Sequence, residues 1–402
     1  MTTPLPILCG LYFIIQLLPF SFLFQPTLLL LIYGIEKLGG YKAPVAPGGP
    51  PVKNFQFGII ITAHRETTFI PPIVDSLLKQ TYPYFNVYIV ADDCDTSRLN
   101  FPDPRIHLLP TPRPLNDQVT SLEYGSRHLA PTDQVVVIFD PDNLIHPDFF
   151  LKLNSWYNRG FLAVQGSLHS KNKSALYARL DTMGMSFGFF MDREIRSMLG
   201  LSVNIWGCGI SIHKEVYQEI IYDAKSATGG FDKHLQIEIA RRVRRIAFAP
   251  DAIVYDEKVE DGNNFERQRI RWIAAYFKFL GKALGLLWQG IRRLDGNLIY
   301  FSYNLLRPPY FLLVICALTF SVTDWLITPA IGKAWLLTLL LFAVSFLIIV
   351  TKDTRERSAA KAVWYLPLVM YHQLRAFLRL RLSRKTLLKT EHTRVVYIDE
   401  VL

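Results

Sequence analysis

Cysteine is scarce in the 402-residue chain: Cys9, Cys94, Cys208 and Cys316 are scattered without the paired spacing of a zinc site or a disulfide framework. That usage fits a reducing compartment. No G-x-x-x-x-G-K-[ST] stretch occurs, which excludes a P-loop phosphate cradle, and a nucleophile elbow and an H-E-x-x-H zincin helix are missing as well. Charge is also thin, at 19% of residues, and uneven: from Leu5 to Tyr33 there is none.

What the chain has instead is apolar bulk. An apolar share of 50% and a mean hydropathy of +0.19 exceed what a soluble enzyme of this size needs. The excess is local. The uncharged run from Leu5 to Tyr33 is longer than the roughly 20 residues that cross a bilayer. It begins without a basic n-region and continues into GIEKLGGYK without a small-residue cleavage site, so it is expected to be retained as an anchor over 1–36. Two further apolar segments, 308–327 and 334–350, flank a short loop with Pro329 and Gly332 and predict a transmembrane hairpin. A buried hairpin in a soluble core is the plainer alternative, disfavoured by the lengths. Asp324 must then sit near a headgroup or face protein, because a carboxylate in hydrocarbon is costly.

Lys37 and Lys42 follow the first span, GIRRLDG (290–296) precedes the hairpin and KDTRER (352–357) follows it. The positive-inside rule places all three in the cytoplasm and the N-terminus outside. The net charge of +10 comes mostly from these flanks and from the tail RAFLRLRLSRKTLLKTEHTR (375–394), whose basic residues interleaved with Leu and Phe suit an interfacial helix on anionic lipid. Nucleic-acid binding is set aside beside so many membrane signals. AVWYLPLVMY (362–371) is short for a span and reads as re-entrant or interfacial, within a C-terminal membrane region over 291–402.

Between the anchors, after the Pro/Gly linker APVAPGGPP (43–51), the pattern changes to short β-branched runs alternating with helical segments, defining a soluble domain over 50–290. FGIIITAH (57–64) predicts a buried parallel strand, IPPIVDSLLKQ (70–80) a helix opened by prolines, and NVYIVADDCDTS (86–97) the next strand with its loop. A helix around 119–129 leads into the strand VVVIF (135–139). Strand, helix, strand in that order implies βαβ units and a nucleotide-binding α/β sheet, with ligands at the carboxyl ends of the strands.

Acidic residues fall at those ends. Asp92, Asp93 and Asp95 follow VYIVA, Asp140 and Asp142 follow VVVIF, and Asp232 lies in TGGFDKHLQIEIARR (228–242). Each alone reads first as a turn former. Together they suit a metal-bridged, phosphate-bearing nucleotide, because hard oxygen ligands bind Mg²⁺ or Mn²⁺ and the cation bridges to phosphate oxygens. In NNFERQRIRWIAAYFKFL (263–280), Gln268, Arg271 and Trp272 share a helix face at i, i+3 and i+4. An aromatic beside an amide and a guanidinium can take a sugar or a diphosphate. The plainer reading is an amphipathic helix at the membrane surface.

In order, Asp92/Asp93, Asp140-x-Asp142, Asp232 and Gln268-Arg269-x-Arg271-Trp272 resemble the D, DxD, D, Q(Q/R)xRW signature of membrane-bound family 2 glycosyltransferases, the cellulose, hyaluronan and chitin synthase-like enzymes. The resemblance covers roughly residues 55–285, and GGFDKHLQIEI and VYDEKVE (254–260) are similar to bacterial members. It implies a GT-A fold held between transmembrane helices at a bacterial inner membrane, with the catalytic domain cytoplasmic. It also implies an inverting, metal-dependent hexosyl transfer from a UDP-sugar to a growing polysaccharide. Residue by residue, it implies Asp92 or Asp93, with Thr62, Ala63 and Glu66 of TAHRE, at the donor nucleotide; Asp140 and Asp142 at the Mg²⁺ or Mn²⁺ and diphosphate; and Asp232 as general base. Gln268, Arg269, Arg271 and Trp272, with Trp206 and Cys208 of NIWGCGISIHKEV (204–216), would lie at the acceptor or diphosphate.

Two departures stand out: Phe231 precedes Asp232 where many members have Glu, and no Lys follows Arg113 in the stretch where many carry a donor-binding one. The acceptor could also be a lipid taking a single sugar, as in ceramide glucosyltransferase-like relatives. A membrane scaffold with a decayed site is a third reading. Export partners or a homo-oligomer complete the partner classes.

Overall fold

The computed structural model describes residues 5–40, 53–223, 229–353, 361–380 and 394–402. The Pro/Gly linker and most of the basic tail lie outside them. Helix α1 (Leu5–Leu38) precedes the catalytic sheet, whose chain order is β1 (Phe57–His64), α2 (Ile70–Leu78), β2 (Phe85–Asp92), β3 (Ile106–Pro110), α3 (Gln118–Arg127) and β4 (Val135–Phe139). There follow β5 (Leu144–Ile145), α4 (Phe149–Tyr157), β6 (Ala163–Ser170) and α5 (Leu176–Phe189), which passes through a π-helical turn, Phe190–Glu194, into α6 (Ile195–Met198). The domain continues with β7 (Ile210–His213), α7 (Lys214–Asp223), α8 (Phe231–Arg242), β8 (Ala247–Asp256), α9 (Gly262–Arg293) and α10 (Gly296–Leu305). Last come α11 (Tyr310–Ile327), α12 (Pro329–Lys352) and α13 (Leu366–Leu378).

The eight strands form one sheet in the order β3-β2-β1-β4-β7-β6-β8-β5. β1 pairs in parallel with β2 and β4, β2 with β3, and β6 with β8, while β7 runs antiparallel between β4 and β6. Six strands therefore point the same way and deliver their carboxyl ends to one edge. Both faces are covered, which is why these strands read as continuous apolar runs. Ile60, Val90, Val136 and Ile138 pack beneath α3, α7, α8 and α9 on one face, and Phe57, Ile59, Ile61, Val137 and Phe139 pack with α2 and α4 on the other. Each such side chain, fully buried, contributes about 1.5–3 kcal/mol.

The first helix and the predicted hairpin are three helices long and apolar enough to cross a membrane: Gly10–Leu38, Tyr310–Ile327 and Pro329–Lys352, with mean hydropathies of 1.8, 1.9 and 2.6. Asp324 faces protein: it is 0% exposed, and its Oδ1 accepts from Tyr12 Oη at 2.7 Å and Gln16 Nε2 at 3.3 Å. Trp335 Nε1 donates to Gln16 Oε1 at 2.8 Å, so α12 joins the same polar cluster.

A second cluster ties these helices to the domain. Gln25 donates to Asn304 (2.9 Å) and Tyr300 (3.0 Å) of α10, and Arg307 reaches from beyond α10 to Asp192 at 3.0 Å. Arg196 meets the same carboxylate at 2.8 Å. Burial alone would raise the Asp192 carboxyl, but Arg307, Arg196 and Arg193 outweigh it and hold it down to about 2.

The stretch expected to be re-entrant or interfacial is a 3₁₀ turn, Lys361–Tyr365, leading into α13. α13 lies against α9: Arg379 and Arg375 approach Glu266 at 2.8 and 3.4 Å, and Tyr177 Oη lies 3.0 Å from His372 Nε2. Leu298 and Phe301 of α10 pack into the same core as Ile60, Val90 and Ile138 of the sheet.

Candidate active site

The ends of β1 and β2 form one corner. Asp92 is 1% exposed, and its carboxylate accepts from the backbone N–H of Leu115 (2.6 Å) and Asn116 (2.9 Å), from Thr111 Oγ1 (3.2 Å) and from the imidazole of His64 (2.8 Å). Burial pushes its pKa up, but these bonds together hold the carboxyl below its ordinary value. Asp92 thus clamps the 111–116 loop, and its neighbour Asp93 faces outward, where Arg65 Nε donates to it at 2.7 Å. Arg65, Asp93 and Asn116 all have positive φ (59°, 54° and 55°). Among the described residues only one other non-glycine residue does, so backbone strain concentrates at this corner, as it often does at functional sites. Thr62 and Ala63 lie at the carboxyl end of β1, and Glu66 accepts from Thr68 N at 2.9 Å, which shapes the turn after it.

Asp140 and Asp142 occupy the turn after β4. Asn143 Oδ1 accepts from Asp140 N at 3.0 Å, closing the turn, and Lys171 Nζ donates to the Asp142 carbonyl at 2.7 Å. Asp256 and Lys258, at the end of β8, pair at 2.7 Å in the same region. Burial first, then the nearby Asp142 and Asp181 charges, raise the Asp256 carboxyl against the pull of Lys258. The predicted turn and the predicted ligand pair are therefore the same residues.

The 204–209 loop is clamped by Gln165 of β6: its Oε1 accepts from Trp206 N (2.9 Å) and its Nε2 donates to the Cys208 carbonyl (3.0 Å). The Trp206 ring lies under the Arg193 guanidinium at 3.3 Å. The Cys208 thiol is buried; loss of water, with Asp140, Asp256 and Asp142 close by, pushes its pKa well up, so it stands as a neutral SH beneath the site. Gly209 has φ +66°, and a Cβ there would press on Val254 at 3.0 Å.

Asp232 stands in the first turn of α8. Gly230 before it has φ +123°, and a Cβ there would meet Phe279 at 2.9 Å and Ala275 at 3.0 Å, so only glycine lets α8 start this close to α9. One turn before Ala275 on α9 is Arg271. Its guanidinium is partly desolvated, which lowers its pKa, while Asp140 and Asp232 both pull it up; as an arginine it remains charged. Arg271 thus stands in the field of both the β4 turn and the α8 start.

The rest of the α9 motif divides its work. Arg269 is tucked inward, bonded to Asp181 of α5, and stacks on Trp272 (4.2 Å) and Phe265 (4.4 Å). Trp272 itself is half exposed. Gln268 is half-buried with Oε1 lacking a partner. Asp181, which orients Arg269, and Arg193, Gln165 and Lys171 are not legible from the helix face of the α9 motif. Asp181 and Arg193 are spread over helices with no motif of their own; Lys258 and Asp256 lay inside VYDEKVE without an assigned role. The only G-x-S-x-G string, 184–188, is inside α5 rather than at a strand-to-helix turn.

Among the described residues no three His, Cys, Asp or Glu side chains converge as a self-sufficient metal cage. Asp140 and Asp142 nonetheless fit a hard cation of the Mg²⁺ or Mn²⁺ type, which takes one or two carboxylates and completes its shell with phosphate oxygens and water.

The family model for glycosyltransferase like family 2 matches residues 54–275. No curated protein sequence matches the chain. Among solved structures, the mannosyltransferase PcManGT from Pyrobaculum calidifontis, in complex with GDP-Man and Mn²⁺, is similar at 16% identity and a TM-score of 0.57, over 92% of this chain and 99% of that one. S. aureus TarS 1-349 in complex with UDP-GlcNAc is similar at 11% identity and a TM-score of 0.40, over 82% of this chain and 92% of that one. The fold is GT-A, and with residues 54–275 of 402 matched the chain belongs to glycosyltransferase like family 2.

Proposed function

We propose that the chain is an inverting transferase that moves a hexosyl group from a nucleoside diphosphate-sugar to an acceptor at the membrane surface. The observation that carries the proposal is the placement of Arg271 in the field of both Asp140 and Asp232, with Asp142 on the same turn after β4 as Asp140. Asp93, beside the strained corner held by Asp92, would meet the nucleoside, with Thr62, Ala63 and Glu66 along the same loop. Asp140 and Asp142 would hold Mg²⁺ or Mn²⁺, which when bound neutralises the diphosphate; a Mn²⁺ complex of the mannosyltransferase is consistent with this.

Asp232 takes the proton of the acceptor hydroxyl as that oxygen attacks the anomeric carbon; the bond from that carbon to the diphosphate breaks on the opposite face, inverting configuration. Arg271 stabilises charge that develops on the diphosphate. Trp206, held flat by Arg193, and Trp272, held by Arg269, offer aromatic faces to an acceptor sugar, with Gln268 beside them. Cys208 supports the Trp206 loop from below.

Orientation is part of the proposal. The segment 1–36 would anchor the chain with its N-terminus outside, 50–290 would form the cytoplasmic catalytic unit, and 291–402 would return to a bacterial inner membrane. The resemblance of Gln268 to Trp272 to polymer synthases favours a growing polysaccharide, made processively, as acceptor. Among the described residues three helices are long and apolar enough to span, which favours a lipid taking one sugar as the second reading, because a polymer channel needs more wall.

The test is nucleoside diphosphate release by the protein in nanodiscs with Mg²⁺ or Mn²⁺, across UDP- and GDP-sugars, with product sizing. One accepted donor and a high-molecular-weight product support the polymer reading. A lipid-extractable product transfers support to the second. Release from no donor, with glycan and lipid acceptors supplied, overturns the transferase proposal and leaves the scaffold.

A further inference from the structure

The loops that leave β6 and β8 run beside the turn that carries Asp140 and Asp142. In the β6 loop, Lys171 Nζ donates to the Asp142 carbonyl at 2.7 Å and forms a buried ion pair with Glu257 of the β8 loop at 3.8 Å. Asn172, the next residue, is buried and joins the two loops: its Oδ1 accepts from Lys258 N at 2.7 Å, and its Nδ2 donates to the Lys258 carbonyl at 2.8 Å and to Glu260 Oε1 at 2.7 Å. The loops therefore reach the turn through the Lys171 ammonium.

A second support comes from α2. Ser76 Oγ accepts from Ile145 N at 3.1 Å, and Gln80 Nε2 donates to the His146 carbonyl at 2.8 Å. Ile145 lies in β5, two residues after the Asn143 that closes the turn, so α2 fixes the chain as it leaves the turn.

The segment 394–402 touches both supports. Arg394 bridges the loops: Nη2 donates to Ser174 Oγ of the β6 loop at 3.1 Å, Nε pairs with Glu260 Oε1 of the β8 loop at 2.9 Å, and its backbone N–H donates to Glu257 Oε1 at 3.3 Å. Four residues on, a 3₁₀ turn, Ile398–Glu400, packs against α2 with Ile398 fully buried. Tyr397 N closes that turn by donating to Glu400 at 2.7 Å, and Asp399 meets Lys79 Nζ, at the carboxyl end of α2, at 2.6 Å. Residues 394–402 lie outside the stretch 54–275 that the family model matches. One fully buried side chain and ion pairs partly open to water hold them in place, and such pairs are weak and screened by salt. A single substitution should release the segment.

We propose that residues 394–402 form a strap that positions the metal turn, with Arg394 as the positioning residue on the loop side and Ile398 on the α2 side. Release of the strap loosens 257–260 and with it Lys171, so the main chain at Asp142 loses the ammonium that fixes it. Carboxylates hold a cation well when the groups behind them fix their geometry, and Mg²⁺ in particular demands near-ideal placement. The strap thus sets metal affinity without touching the metal. It rests on reading Asp140 and Asp142 as ligands of Mg²⁺ or Mn²⁺.

The experiment takes two readings on the full chain in nanodiscs: Mn²⁺ binding, from loss of the free-ion electron paramagnetic resonance signal, and hydrogen exchange of the Asn143 and Ile145 amides. Both amides are bonded with the strap docked. Ile398→Asp and Arg394→Ala should each weaken Mn²⁺ binding about tenfold and quicken exchange at 143 and 145, with the thermal midpoint and exchange in β4 at wild-type values. Arg394→Lys, which keeps a charge for Glu260, should lose less than Arg394→Ala. Arg127→Gln, which breaks an exposed pair on α3, should leave both readings unchanged, and an equal loss there would overturn the strap's specific part. Wild-type Mn²⁺ affinity in both strap variants, wild-type exchange at 143 and 145, or acceleration throughout the domain would overturn it too. If wild type itself binds no Mn²⁺, the metal reading of Asp140 and Asp142 fails, and exchange at 143 and 145 alone decides whether the strap holds the turn.

Discussion

Replacing Asp92 by Asn keeps the side chain's size and exchanges one acceptor oxygen for an NH₂ group. In the wild type the carboxylate accepts from Leu115 N, Asn116 N, Thr111 Oγ1 and His64. In the variant one amide oxygen serves at most one side of this fan, and the NH₂ faces the Asn116 N–H. Hydrogen bonds to a charged group contribute about 1.5–3 kcal/mol each, so losing one and weakening the rest costs about 3 kcal/mol. That corresponds to roughly a 10²-fold larger open population of the 111–116 loop. Hydrogen exchange of the Leu115 and Asn116 amides should accelerate by that factor, with β4 (135–139) unchanged, and donor affinity should fall with it. Unchanged exchange at 115 and 116, or the same acceleration throughout the domain, would refute the clamp. The pH dependence has a definite sign. A carboxyl held below its ordinary value stabilises above that value and loses the stabilisation as pH falls through the lowered one, so the loop should open in acid and not in alkali.

Arg307→Gln should be strongly destabilising, by about 3–5 kcal/mol, because it removes one partner of a buried charge cluster and leaves Asp192 undercompensated; thermal unfolding in detergent reads this, and a wild-type midpoint would contradict it. Glu266→Gln should release α13 with only about 1 kcal/mol of cost, since Arg375 and Arg379 are partly exposed and rehydrate. Limited proteolysis around 366–378 should then quicken while the catalytic domain stays intact. Gly230→Ala should shift the start of α8, since its φ of +123° and the approaches to Phe279 and Ala275 leave no room for a methyl. Turnover should drop with little change in donor binding. Asp142→Asn should abolish metal-dependent turnover while leaving the fold intact, and full activity in the variant would remove Asp142 from the metal site.

Much of the sheet was legible because buried parallel strands are written as unbroken apolar runs: FGIIITAH is β1 to the residue, and VVVIF is β4. Helix ends moved by one or two residues, as caps usually do. Pattern could not show that β7 would insert antiparallel between β4 and β6, nor that ERQRIRW would begin a 32-residue helix with a second helix folded back on it. Those depend on long-range pairing, not on local periodicity. At the site, the acidic doublets announced themselves by following strands, but which member works outward did not. Asp92 is consumed by four bonds, three from the 111–116 loop about twenty residues on and one from His64 at the end of β1. The supports of the two tryptophans, Arg193 and Asp181, were invisible for the same reason: a single buried ion on a helix has no spacing to betray it. Asp324 was recognised as a carboxylate needing protein company, and its partners came from α1, some 300 residues distant.

The most direct measurement is on Asp232→Asn. Donor binding and nucleoside diphosphate release are compared with wild type in nanodiscs, using the donor that wild type accepts and the divalent cation it needs. If Asp232 is the base that takes the acceptor proton, the variant binds donor with wild-type affinity and its turnover falls by about two to four orders of magnitude. Wild-type turnover in the variant would contradict the assignment of chemistry to this edge of the sheet.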